Sequence, residues 1–288
     1  MTIGIGALCT TDYGILNPSL IRPDAMILMA DTLGSTDTDS TESLHKLFVG
    51  HDLFAVSADN VQVAAEVFTA TDERLAALNE PRTHGSIWRT LSEVATGVRA
   101  ERFRAEVIAT KYNYMLPNPL MLPPPEHARM MEEFREYPLG CQMVVGAFDQ
   151  NGMALLYFIG NFENKFGIVH GIQFPGFMSI GAGYHNATMW LNYRSQRLGM
   201  NIKQSALHVY ESMRFASSAP SVNEHIDALV ATKGWHQEFS TRKDAALGSP
   251  ISLRELRGLA KKFGPRATRS LATKAGVPLN PQSPKDGS

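Results

Sequence analysis

The chain opens Met1-Thr2-Ile3-Gly4-Ile5-Gly6 and runs on through Ala7-Leu8. Residues 2–8 read as a β-strand with small residues on one side. What decides the reading is Thr2. Initiator methionine is commonly trimmed when the next residue is small. Trimming leaves a hydroxyl and a free α-amine on the same residue. A threonine hydroxyl alone is a poor nucleophile, and an adjacent amine can take its proton. An α-amine with a pKa of about 7.7–8.0 is largely available as a base near neutrality. The plainer reading is that Met-Thr is simply how a chain begins, so Thr2 depends on what the remaining residues place around it.

Size and composition set the bounds. The chain has 288 residues, 44% of them hydrophobic and 19% charged, enough to bury a sizeable core. A formal net charge of −1 points to no particular partner. No apolar run approaches the roughly 18–20 residues of a membrane span, and the N-terminus lacks the basic start and apolar core of a signal peptide. Cys9 and Cys141 are the two cysteines, so no disulfide framework is implied. The expectation is a soluble, cytoplasmic protein with no membrane contact. Charge is uneven, however. From residue 241 onward ten Lys/Arg stand against three Asp/Glu, so the tail carries +7 and residues 1–240 carry −8. A basic tail can bind nucleic acid, but Phe263 is its one aromatic residue. We read it as a solvated end and expect no nucleic-acid partner.

Taken in order, turn signals at residues 10–24 lead to the apolar run Ala25–Ala30, a buried strand ending in Asp31. A small, polar loop at 32–43 follows. Lys46-Leu47-Phe48-Val49 and Leu53–Ala58 form a strand pair across the His51-Asp52 turn. Asp59 or Asn60 can cap a helix carrying Val61, Ala64, Ala65, Phe68, Leu75 and Leu78, and Ser86 a second with Ile87, Leu91, Val94 and Val98 inward. Residues 112–138, rich in proline, read as an insertion or projecting loop with one short charged segment, Arg129 to Arg135. Strands return at 142–148 and 154–159 across an Asp-Gln-Asn-Gly turn, then at 167–170 and 177–181. Helices at 186–198 and 202–215 precede a last strand at 226–232. Grouped strands and grouped helices imply layered packing rather than alternating parallel units. The expected fold is α+β: two stacked antiparallel sheets with a helix pair outside each. We expect one domain over residues 1–240, interrupted at about 112–138, and a separate tail at 241–288.

Several of these stretches together resemble the proteasome β-type subunits. They are Thr2-Ile3-Gly4-Ile5, Met29-Ala30-Asp31, Lys46-Leu47-Phe48, Ser57 to Val63, Gly146-Ala147-Phe148-Asp149 and Ser179 to Gly183. Their order and approximate spacing match across residues 2–235, most closely over 25–70. The insertions near 10–23 and 112–138 make the chain look more like a bacterial relative, of the kind that includes the HslV protease and the ancestral β-subunit group. The resemblance implies a four-layer αββα sandwich of the N-terminal nucleophile (Ntn) hydrolases. It implies Thr2 as nucleophile with its own amine as proton acceptor, Lys46 as the cation beside it, and Asp31 as the carboxylate that orients Lys46. The set is physically coherent, because an ammonium near Thr2 favours loss of the hydroxyl proton and keeps the α-amine neutral. A backbone N–H near Ser57 is the expected oxyanion donor. Taken singly, Asp31 also reads as a strand-end turn residue and Lys46 as a solvated charge.

Two supporting positions depart from the family pattern. Ala182 stands where a serine is usual, and Phe215 follows Arg214 where an aspartate is usual. Ser217 or Ser218 is a candidate second serine, and Glu211, one helical turn earlier, a candidate carboxylate. Gly181-Ala182-Gly183 lacks the third glycine and the framing of a nucleotide loop. The nine histidines include no HExxH, and no CxxC occurs, so neither cofactor nor metal is expected. Three functions follow. The first is a threonine peptidase assembled as a homo-oligomeric ring or spiral around a chamber and acting on peptide or polypeptide. The second is an amidase for small molecules. The third is a non-catalytic assembly protein. Neither ring symmetry nor an ATP-dependent unfoldase partner is fixed by the sequence.

Overall fold

A computed structural model describes residues 3–11, 22–31, 46–112, 123–160, 169–172, 175–217 and 226–240. Among these described residues ten strands form two antiparallel sheets of five. In the first, β1 (Ile3–Cys9) lies between β2 (Ala25–Asp31) and β8 (Phe177–Gly181). β2 continues to β9 (Ile226–Thr232) and that to β10 (Trp235–Ser240). In the second, β3 (Leu47–Val49), β4 (Leu53–Asp59), β5 (Cys141–Phe148), β6 (Ala154–Ile159) and β7 (Val169–Gly171) pair in chain order.

Side-chain alternation along β1 accounts for how the sheets meet. Ile3, Ile5, Ala7 and Cys9 join one core with residues of α4 (Tyr184–Tyr193) and α5 (Ile202–Ala216). On the other face stand Gly4 and Gly6, toward the second sheet. A Cβ on Gly6 would lie 2.6 Å from Val144 Cγ1 and 3.0 Å from Leu28 Cδ2. Those small residues therefore set how closely the sheets approach. Leu8, Met26, Leu28, Phe54, Val56 and Val144 fill the core between them. A third core joins the far face of the second sheet to α1 (Val61–Ala76) and α2 (His84–Phe103).

Local signals explain the helix starts. Asn60 caps α1, its carboxamide oxygen accepting from Gln62 N at 3.0 Å and Val63 N at 3.2 Å. The cap of α2 is Thr83, three residues before the expected Ser86. Ser86 is its capping-box partner, accepting from Thr83 N at 2.9 Å. α4 stops at Tyr193, short of the expected Leu198, and Ser195 follows in a left-handed conformation at φ 53°. Strand β10 is additional to the expected elements; it returns from β9 through Gly234 at φ 72°.

The expected four-layer αββα sandwich is corrected. The described residues establish an α+β fold of two antiparallel five-stranded sheets and five α-helices. The helices are not limited to one pair per sheet, because a fifth lies outside both sheet cores. α2 runs on as a π-helical segment, Arg104–Tyr112, and α3 (Pro124–Glu136) packs against that continuation. Phe103, Val107, Met130, Phe134 and Tyr137 make a small core of their own there. Arg99 ties it down, donating to Tyr137 O at 2.8 Å, to Arg135 O at 2.8 Å and to Phe134 O. No helix among the described residues is long and apolar enough to cross a membrane. The expected division at residue 240 falls at the edge of what is described, and the basic tail, 241–288, lies outside it.

Candidate functional site

The first residue of β1 and the last of β2 lie side by side, because the ladder pairs Gly4 with Ala30. Asp31 is 1% exposed there. Its Oδ1 accepts two hydrogen bonds, from Ile3 N at 3.1 Å and from Lys46 Nζ at 3.0 Å. Lys46 enters from the second sheet, one residue before β3, and is 2% exposed. Two of the expected site residues, Asp31 and Lys46, are therefore an ion pair deep in the protein. Ile3 N belongs to the peptide bond that joins residue 3 to Thr2, so Asp31 grips the chain immediately beyond Thr2. Thr2 itself lies outside the described residues.

Removing two charges from water is costly, and the ion pair persists because each partner offsets the other. Burial pushes the Lys46 pKa below the ordinary lysine value. The charge of Asp31, its hydrogen bond, and the charge of Asp227 pull it back up. Asp227, on β9 opposite Ala30, is a member of this corner that sequence reading missed. Nothing local marks it, since it comes near Lys46 only through the pairing of β9 with β2.

The expected oxyanion donor, a backbone N–H near Ser57, falls on β4. Ser57 N donates to Lys46 O at 2.9 Å, so this N–H is already engaged by the chain beside β4. The Ser57 hydroxyl is fully buried and has no hydrogen-bond partner among the described residues. Close by, Gln142 Oε1 accepts from Gly181 N at 3.3 Å, joining the second sheet to the residue that pairs with Ile3. Gly181 has φ 85°. A Cβ on Gly183 would stand 3.2 Å from Ile3 Cδ1 and 3.1 Å from Ala216 Cβ, so the turn after β8 is packed tightly against the start of β1.

The supporting positions do not regain carboxylates. Phe215 stacks on Trp190 with ring centroids 5.1 Å apart. Glu211, the candidate replacement, is paired with Arg194 at 2.5 Å and accepts from Trp190 Nε1 at 3.3 Å. Ser217 Oγ donates to Arg214 O at 2.7 Å, and Ser218 lies outside the described residues.

An open cleft of about 460 Å³ lies elsewhere, at the opposite end of β4, between His51, Asp52, Arg82, Phe148, Asp149, Gln150 and Lys233. Its charges have backbone partners. Arg82 donates to His51 O, Lys233 to Gln150 O, Asp52 accepts from Gly234 N, and Asp149 from Asn151 N and Met153 N. These contacts fasten turns together, and we place the candidate site at Asp31 and Lys46 instead. Among the described residues no group of three His, Cys, Asp or Glu side chains is placed to hold a metal ion.

No protein-family model matches the chain. No curated protein matches it either. Among solved structures it is similar to the Anbu (Gly-1) mutant from Hyphomicrobium sp. strain MC1, with a TM-score of 0.57. The sequence identity is 14%, over 97% of this chain and 98% of that one. Anbu is a proteasome-related protein, and likeness at this identity concerns the fold alone. It corrects the resemblance read from the sequence. A proteasome-like fold is supported, whereas a bacterial relative of the HslV kind is not.

Proposed function

We propose that the chain is a hydrolase of amide bonds that uses Thr2 as its nucleophile after removal of Met1. The Thr2 oxygen attacks the substrate carbonyl, and its proton passes to the Thr2 amine. That proton then goes to the departing amine as the carbon–nitrogen bond breaks. Water, losing a proton to the same amine, hydrolyses the ester left on Thr2. Lys46 favours both roles of residue 2, because a nearby positive charge stabilises the alkoxide and disfavours a second cation on the α-amine. Asp31 keeps Lys46 charged and aimed. The oxyanion donor is left to a group other than the Ser57 N–H. Peptide or polypeptide is the substrate, and a homo-oligomeric ring or spiral is the working assembly.

One observation carries this reading. A single carboxylate oxygen binds both the buried Lys46 ammonium and the backbone nitrogen that follows Thr2. The test is intact-mass measurement, peptide turnover, and covalent labelling by an epoxyketone or β-lactone. We expect loss of Met1, label on Thr2, and no turnover in Thr2→Ala. Retained Met1, or equal turnover by Thr2→Ala, sinks the proposal. A monomer by light scattering that cleaves only small amides would redirect it to a small-molecule amidase.

A second reading, a non-catalytic assembly protein, draws on Ala182, on Phe215 stacked against Trp190, and on Glu211 paired with Arg194. An unlabelled Thr2 in an intact oligomer selects it.

A further inference from the structure

Lys46 is approached by carboxylates from two strands. In the β2–β9 ladder Asp227 pairs with Ala30 and Ile226 with Asp31, so the two aspartates stand on adjacent rungs at the end of the ladder. Ile226 and Ala228 belong to the helix-side core, whereas Leu229 belongs to the core between the sheets. Alternation puts Asp227 on the Leu229 face, toward the second sheet. Lys46 comes from that sheet into the same corner, where β3 touches both β2 and β9. Asp31 and Asp227 are the charged groups acting on Lys46 among the described residues.

Asp31 divides its Oδ1 between Lys46 Nζ and Ile3 N. An amine as buried as this one tends to discharge unless negative charge offsets the lost water. We propose that Asp227 is a positioning residue of this centre: from β9 it supplies the second carboxylate that keeps Lys46 an ammonium beside the start of β1. The inference rests on Lys46 being the working cation of the proposed hydrolase, but its test does not depend on hydrolysis.

The test is a pH titration of the full chain by NMR with ¹³Cε-lysine, the Lys46 signal assigned through Lys46→Arg. Asp227→Asn lowers the Lys46 midpoint by about one unit, the low end of what an opposite charge contributes, and Asp227→Glu restores most of it. In any Thr2-dependent hydrolysis the alkaline limb of kcat moves down by the same shift, with KM little changed. A Lys46 midpoint that moves by less than about 0.3 units in Asp227→Asn, or equally in Asp227→Asn and Asp227→Glu, overturns the inference. If Asp227→Asn loses its native circular dichroism, Asp227→Ser is titrated under the same criteria. Because the titration needs no substrate, a protein that hydrolyses nothing removes the proposed function and still decides the role of Asp227.

Discussion

Strand β1 carries a buried polar cluster at each end, and the two handle burial in opposite ways. At the start, Ile3 N, Asp31 and Lys46 share one carboxylate, and the charges stay. At the far end Cys9 meets Ser205, Ser205 Oγ accepts from Gln196 Nε2 at 2.9 Å, and Gln196 Oε1 faces His208 Nδ1 at 3.0 Å. There burial pushes the Cys9 thiol up, with Asp24 adding to the rise. Burial, helped by Arg194, pushes His208 down to about 3. Both side chains are thus neutral near pH 7. Comparable burial favours neutrality at the far end, where Asp24 opposes a thiolate, and an ion pair at the start, where Asp31 faces an ammonium. A buried charge retained at such cost is the better marker of a working site.

The largest effect should come from breaking the charged end. Asp31→Ala leaves the Lys46 ammonium without its hydrogen-bonded carboxylate, and we expect a loss of about 3–5 kcal/mol in urea unfolding. The double variant Asp31→Leu with Lys46→Met should recover most of that stability yet show no Thr2-dependent hydrolysis. A double variant as unstable as Asp31→Ala would erase the contrast.

The neutral end should answer to acid. The folded His208 pKa lies below the unfolded value of about 6.5. Below that value the unfolded chain binds more protons, so stability present above it is lost as pH falls toward about 3. The slope is about 1.4 kcal/mol per pH unit, or about 2 kcal/mol by pH 5. Unfolding measured from pH 7 to 5 checks this, and His208→Gln should flatten the dependence.

Between the two ends, Gly6→Ala forces a methyl against Val144 and Leu28, with an expected cost of about 1–3 kcal/mol by thermal unfolding. Outside both clusters, Asn60→Ala should cost about 1 kcal/mol through its cap and leave the acid dependence unchanged.

Local pattern carries most of the strands. The alternation of Ile3, Ile5 and Ala7 and the apolar run before Asp31 each declare a buried strand. Asp31 and Lys46 are legible because each sits at the boundary of such a run. The features that local pattern does not show depend on pairing between distant residues. The Ser57 N–H is engaged because of how the chain before β3 lies against β4. Asp227 matters only because β9 docks beside β2. β10 is hidden because its Trp-His-Gln-Glu-Phe-Ser stretch is mostly polar and owes its strand form to β9. The helix arrangement is harder to read because the proline-rich stretch conceals how far α3 extends and how Arg99 anchors it to α2.

The grip of Asp31 on Ile3 N counts covalent bonds from the inside of the molecule outward. Residues added ahead of Thr2 leave its hydroxyl the same number of bonds from that anchor but carry the terminal amine away. A chain with one extra residue at its head is thus a way to keep the proposed nucleophile and relocate the proposed base, the complement of Thr2→Ala, which removes the hydroxyl and leaves the amine.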